Sequence, residues 1–438
     1  MASAATVPRR LLGRLDGIAI LVGVVLGAGI FRAPSVVAQN VDSGWAYLAV
    51  WALGGLVTLA GALAYAELGA AYPHQGGEYR FLTRAFGRPV GVLFAWARCA
   101  VIQPGAIAAV AFVYGDYLNG VAPLGPYGAA LHGASAVIAL TALNLIGTLE
   151  SKTVQRLFTA VDLAALAGLV VAAALIAPSE AGGSTLPAPA ETGALGLAMV
   201  FVLLTYGGWN EAAYLGGELR DPGRNTAPVL LGGVALVTAL YLLVNAALLY
   251  GLGLEGLRES AAPGADLARL AGGEFGVLLL TAGVAVAALS TLNGTLFTGA
   301  RSLAALGEDL PPARRLGLWS ARGSTPAAAV LAQGAAALTL VALGAATRTG
   351  FQAMVDYTAP VFWGFLLLVG LAFFVLRRRE PDRPRPFRAP AAAAALFTGA
   401  CAYLLWSSLA YTGWGALLGV GVLALGLPLL LIKGRALT

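Results

Sequence analysis

Apolar runs of about twenty residues or more follow one another along this chain, separated by short polar stretches that collect its arginines. A helix needs roughly 20 apolar residues to cross the hydrocarbon core of a bilayer. The pattern therefore predicts a series of membrane-spanning helices. The first five lie at about 16–39, 44–71, a third ending near 119, 129–148 and 153–177. The sixth is built around 205–225. The rest lie at about 227–252, 274–305, 325–344, 351–376, 391–411 and 413–432. The segment 178–193, rich in Pro, Gly and Ser, is the natural boundary between two halves.

Two of these runs carry a glycine cluster near the middle, at Gly27 and Gly29 in GVVLGAGIFRAP and at Gly207 and Gly208 in TYGGWNEAAYLGGELRDPGRN. A helix broken in lipid leaves N–H and C=O groups unpaired, at several kcal/mol each, unless a ligand or water satisfies them. Small residues also permit close helix packing, which is the alternative reading of any glycine pair. Breaks in corresponding positions of two halves point instead to the binding site of a transporter.

Composition agrees with a membrane protein. The chain has 438 residues, 59% hydrophobic and 11% charged, where soluble domains carry about 25% charged residues. Cys99 and Cys401 fall inside apolar runs, so no disulfide framework is expected. His74 and His132, without clustered thiols, leave little for a metal site. Neither a cofactor nor a catalytic residue is expected. The sequence pI of about 9.4 reflects bases in loops between spans, which is membrane topology rather than a nucleic-acid surface. With the N-terminus inside, the outward loops hold only Arg258, Arg269 and Arg348, so both termini are expected in the cytoplasm.

Five stretches, GAGIFRAP, AYAELGAAYPHQGGEYRFL, TYGGWNEAAYLGGELRDPGRN, LSTLNGTLFTGAR and REPDRPRPFRAP, resemble the amino acid–polyamine–organocation superfamily, and within it the L-type amino-acid transporter branch. The resemblance covers nearly the whole chain. It implies an all-α membrane fold of about twelve helices, with an inverted five-plus-five repeat whose first and sixth helices are broken. On this reading residues 1–15 are a cytoplasmic tail, 16–177 the first repeat, 193–376 the second, 391–432 two appended helices and 433–438 a second tail.

An amino acid needs an anion site and a cation site about one residue apart. A helix restarting after a break presents free N–H groups and its positive dipole end, so the amides of Gly27, Ala28 and Gly29 are assigned to the carboxylate. The resemblance implies the carbonyls of Val25, Leu204 and Gly207 for the ammonium group. Trp209, Asn210 and Tyr357 are candidate walls, although a tyrosine packed within span ten is an equal reading of Tyr357. Glu67 and Glu218 match family positions near the inner face, as gating groups or as simple ion pairs. Thr291 falls where sodium-coupled relatives place a hydroxyl, and also fits interhelical packing. Arg98 is expected to snorkel inward.

Three departures qualify the resemblance. The lysine that many relatives carry at the start of span five is Leu149 here, with Lys152 three residues on. Leu204 replaces a bulky aromatic, and Gln103 replaces an arginine before the proline of span three. The expected function is secondary transport of small or medium neutral L-amino acids across the cytoplasmic (inner) membrane, by exchange or facilitated uptake, with no obligatory protein partner. Alternatives are a cationic amino-acid or polyamine carrier using Glu211, and a proton-coupled symporter. An embedded enzyme and a transporter-like channel or sensor fit less well, since the chain lacks a nucleophile–base pair, a continuous polar pore and a soluble output domain.

Overall fold

The computed structural model describes residues 10–27, 29–176, 194–260, 262–321, 323–347, 350–411 and 413–432. The boundary segment 178–193, the terminal tails 1–9 and 433–438, and Ala28 lie outside the described residues.

Nine helices among the described residues are long and apolar enough to cross a membrane. The remaining crossings are the two broken runs and a shorter apolar helix near the end. The first run is α1 (Arg14–Val25) and α2 (Gly29–Gln39), with a break that begins at Leu26. Then follow α3 (Gly44–Ala71), a short helix α4 (Glu78–Phe86), α5 (Arg88–Ala97), α6 (Gln103–Val121), α7 (Gly128–Ile146) and α8 (Thr148–Leu175). A π turn over Arg98–Ile102 fuses α5 and α6 into one crossing.

The second broken run is α9 (Ala194–Thr205), a three-residue turn and a 3-10 helix over Trp209–Gly217. After it come α10 (Pro222–Glu259), α11 (Pro263–Asp309), α12 (Ala327–Thr347), α13 (Gly350–Arg379), α14 (Ala391–Tyr411) and α15 (Gly413–Ala424). In both halves, then, one broken crossing precedes four long ones. The non-helical residues Gly253 in α10 and Gly273 in α11 fall where the hydropathy pattern ends span seven and begins span eight. The loop helix α4 and the 3-10 form of the sixth run's second half were not legible in that pattern.

The helices are amphipathic in the inverted sense that lipid demands. On α8 the buried residues Thr148, Ser151, Gln155, Thr159, Asp162, Leu166, Leu169 and Ala173 recur every three or four positions, which is one face of a helix. Leu149, Leu157, Val161, Val171 and Leu175 of the same helix are exposed. Polar groups thus face protein and leucines face outward, as expected where the solvent is hydrocarbon.

The half-helix α1 sits against α8, α10 and α11, while α14 covers α13 and α3. Gly23 makes the first of these contacts possible. A Cβ there would lie 2.2 Å from Gln155 Nε2 and 2.5 Å from both Ser290 Oγ and Thr159 Oγ1. Any side chain would push the break of the first run away from α8 and α11.

Candidate functional site

The chain leaves α1 at Leu26 and re-enters a helix at Gly29. It leaves α9 at Thr205, turns through Gly208 at φ +102°, and resumes at Trp209. That backbone angle suits only glycine comfortably, so the second break is specified locally by sequence. The two breaks lie together. The Tyr241 hydroxyl, from α10, is 2.8 Å from the Val25 carbonyl oxygen and 3.2 Å from that of Thr205. Tyr241 is fully buried, and a tyrosine in a long apolar run carries no sign of this role in the sequence.

Loss of that hydroxyl has a measurable consequence. Tyr241→Phe is expected to lower stability by about 1 kcal/mol, the net worth of one buried hydrogen bond, and to weaken substrate binding because both breaks lose a shared anchor. Thermal unfolding in detergent, with and without substrate, checks both effects.

Around the breaks, Gly29 and Leu204 are exposed and Gly27 and Gly207 partly so. The Gly27 amide donates to Val25 O at 2.7 Å, and the Gly207 amide to Leu204 O at 3.0 Å. The carbonyls of Val25 and Leu204 are therefore not without partners, as the sequence reading had them; each keeps a lone pair for a further donor. The start of α2 at Gly29 provides helix N-terminal amides that have no acceptor within the helix.

Trp209 turns toward α3 and α14. Its ring meets Tyr65 at 4.8 Å and Phe397 at 5.7 Å. With Gly207, Val57, Thr58, Leu203 and Phe362 it lines an apolar cavity of about 20 Å³. The Asn210 amide donates to Glu78 Oε1 at 3.1 Å. Tyr357 donates to Ala100 O at 2.8 Å, which ties α13 to the π turn, the packing role named as its alternative.

Arg98 does not snorkel. It is 1% exposed and makes a two-pronged pair with Glu211, at 2.8 and 2.9 Å. Glu78 lies 3.8 Å from the same guanidinium, and the Tyr214 ring stacks beneath it at 4.2 Å. Gln103 adds a bond to Glu211 at 3.2 Å. Tyr65 and Tyr214 both donate to Glu78. A helix interior at membrane depth leaves a charged head no water to reach, so pairing replaces snorkelling.

The gating candidates resolve into ion pairs. Glu218, fully buried, holds Arg301 at 2.5 Å. Glu67 holds Arg377 at 2.5 Å and Arg385 at 3.2 Å, and accepts from the Ala389 amide. Lys152 reaches Asp16 at 3.3 Å and Leu11 O at 3.2 Å, while Arg156 meets Asp16 at 2.7 Å. Leu12 pairs with the strand-like exit of the sixth run, through its own amide to Glu218 O and the Arg220 amide to Leu12 O. The Asp16 and Leu12 contacts pin the N-terminal end of α1 to α8 and to the end of the second broken run, which Glu218 ties on to α11, while Glu67 ties α3 to the end of α13. Near this end, His74 is pushed down to about 4 by burial and by Arg80, so it is neutral near pH 7.

Thr291 is hydrogen-bonded to the Gly23 and Val24 carbonyls, at 3.3 and 3.2 Å, and so holds the last turn of α1 to α11. Leu149, at the expected lysine position, is exposed on the outer face of α8. From α8 it is Asp162, a residue the sequence reading passed over, that faces the first break. A stripe of Ser151, Gln155, Thr159 and Asp162 at helical spacing was the available signal.

Two broken crossings that meet at one tyrosine, closed at one end by ion pairs and exposed at the break itself, are the arrangement of a secondary transporter's binding site. The chain belongs to the amino acid permease family, whose model matches residues 12–418. It is similar to human b(0,+)-type amino acid transporter 1, with 30% identity over 402 residues covering 88% of this chain and 80% of that protein. It is similar to the serine/threonine exchanger SteT of Bacillus subtilis (strain 168), 29% identical over 385 residues and 86% of each chain. Large neutral amino acids transporter small subunit 2 of Oryctolagus cuniculus is 27% identical over 438 residues, covering 95% of this chain and 79% of that protein. The family is one of permeases rather than enzymes, and the chain is a multi-pass membrane protein.

Proposed function

We propose that this protein exchanges small and medium neutral L-amino acids across the cytoplasmic membrane by alternating access, with both termini in the cytoplasm. The observation that carries the neutral side chain is the pairing of Glu211. A cationic substrate held at mid-membrane needs a counter-charge, and Glu211 is committed to Arg98 through both oxygens. The names of the relatives, two exchangers or carriers of neutral amino acids among them, support the same class.

The substrate's carboxylate takes the N-terminal amides of α2 from Gly29, with that of Ala28 just before it, while the Gly27 amide is spent on the Val25 carbonyl; the ammonium takes the carbonyls of Val25, Leu204 and Gly207. Trp209, Asn210 and Tyr357 shape the site from behind, through the packing described above. Residues 16–177 and 193–376 act as the two repeats that rock about the breaks, while 391–432 support the second. Glu67, Lys152 and Glu218 hold the N-terminal side shut, and Thr291 holds α1 to α11.

Counterflow in proteoliposomes tests this reading. Labelled serine, alanine or leucine should enter only vesicles preloaded with a neutral amino acid. Excess arginine or putrescine should not compete, and replacing sodium by choline should leave the rate unchanged. Competition by arginine that disappears in Glu211→Gln would transfer the counter-charge to Glu211 and replace the neutral reading by the cationic one.

A further inference from the structure

Asp162 sits in the middle of α8 and is 2% exposed, yet neither carboxylate oxygen has a hydrogen-bond partner. It lines a small pocket with Leu26 at the end of α1, Ile30 and Phe31 in the first turn of α2, Ala165 and Leu166 on its own helix, and Gly283 and Ala287 on α11. Every other lining group is apolar, and the pocket has no space for a water molecule. An ionised carboxylate in such surroundings costs far more than a protonated one. A metal cation would need a shell of several oxygens, which these neighbours do not supply.

The groups facing Asp162 are few. Ser290 of α11 is its polar neighbour, without reaching hydrogen-bond geometry; it accepts from Gln155 at 2.9 Å. From α10 the nearby titratable group is Tyr241, whose hydroxyl is taken by the break carbonyls. On α1 the charged residues Arg14 and Asp16 lie at the far end, with Lys152 and Arg156 of α8 beside them. Arg32, the one charged residue of α2, has a side chain outside the described residues. On α11 the nearest basic residue along the helix is Arg301, which is paired with Glu218.

We propose that Asp162 is a proton-binding site that couples the exchange cycle to pH. In the sealed state the side chain carries the proton as the neutral acid, enclosed by the first break. The residues that seal it, Leu26, Ile30 and Phe31, belong to the segment that an alternating-access cycle must move. When that segment swings away and water enters, the acid releases its proton to the water. Reclosure requires that a proton be taken back. Acid pH thus favours the sealed state and alkaline pH the hydrated one. The inference rests on the exchange reading for its transport consequence, though not for the protonation itself.

Two measurements on the full-length protein separate the two claims. Exchange of a neutral amino acid is followed in proteoliposomes between about pH 5 and 8, for wild type and Asp162→Asn, where one linked proton changes an equilibrium by up to about tenfold per pH unit. Wild-type exchange should vary with pH, and the variation should flatten in Asp162→Asn. The same pH profile in both overturns the proposal. If wild type exchanges nothing, the functional reading falls, and infrared spectroscopy decides the rest. At neutral pH a carbonyl stretch from a buried protonated carboxyl should be present in wild type and missing in Asp162→Asn. Should the Asn variant fail to fold, Asp162→Glu is expected to keep the band at a shifted frequency. Absence of the band in wild type refutes the site whatever the transport result.

Discussion

Arg98→Met should cost about 3–5 kcal/mol of stability, the usual cost of removing one partner from a buried ion pair. The methionine fills much of the volume, so packing is not the cause. Glu211 would keep only the bond from Gln103, and Glu78 would keep Tyr65, Tyr214 and Asn210. Two carboxylates would then stand in a dry interior with no cation between them. The expected readout is a strongly lowered yield of monodisperse protein in detergent and a large fall in unfolding temperature. Arg98→Met combined with Glu211→Gln should recover a good part of the loss, because the second change removes the stranded charge. A double variant no more stable than Arg98→Met alone would show that the arginine acts through packing rather than charge.

Gly29→Val should abolish substrate binding while leaving the fold intact. A Cβ at Gly29 would meet Thr205 Cγ2 at 3.4 Å and Thr205 Oγ1 at 3.5 Å, which are ordinary contacts. Stability should therefore change by less than about 1 kcal/mol, roughly the intrinsic helix cost of valine against glycine or alanine. The exposed side of the same residue is where a carboxylate would approach the α2 amides, and a β-branched side chain fills it. Ligand-induced thermal stabilisation reads the effect. Wild type should gain several degrees with saturating substrate and Gly29→Val none, so an equal gain in both would remove the carboxylate site from the start of α2.

The breaks and the span limits could be read from sequence because both are local. Gly27, Gly29, Gly207 and Gly208 stand in runs that have no other reason to stop, and hydropathy set span limits within a residue of Gly253 and Gly273, though not the helical turns that continue beyond each of them. Pairings across the chain were not legible. Arg98 and Glu211 are 113 positions apart, and an arginine beside Gln103 and Pro104 looks the same whether it snorkels or meets an acid. Tyr241 gave no sign because the hydroxyl's partners are backbone atoms of two other segments. Asp162 was legible in principle, since its neighbours Ser151, Gln155 and Thr159 mark the inward face of α8. A family pattern drew attention to Leu149 instead, and that residue points outward.

The π turn at Arg98–Ile102 gives one crossing a place where a change in length can be absorbed. A π turn accommodates one residue more than the α-helical turn it replaces. Deleting any one of Cys99, Ala100 or Val101 would let the crossing from Arg88 to Val121 close into uninterrupted α-helix. The Gln103 amide now bonds to the Arg98 carbonyl across the turn, and after the deletion the same two groups would stand four apart, the ordinary α-helical spacing. The flanks would therefore keep nearly their present orientation, and Arg98 and Gln103 would still converge on Glu211. The same deletion in a regular α-helical part of the crossing would instead rotate one side by about 100° against the other. Natural length variation among members of the family should therefore be admissible at this turn, as in the polar loops, and absent from the rest of the crossing.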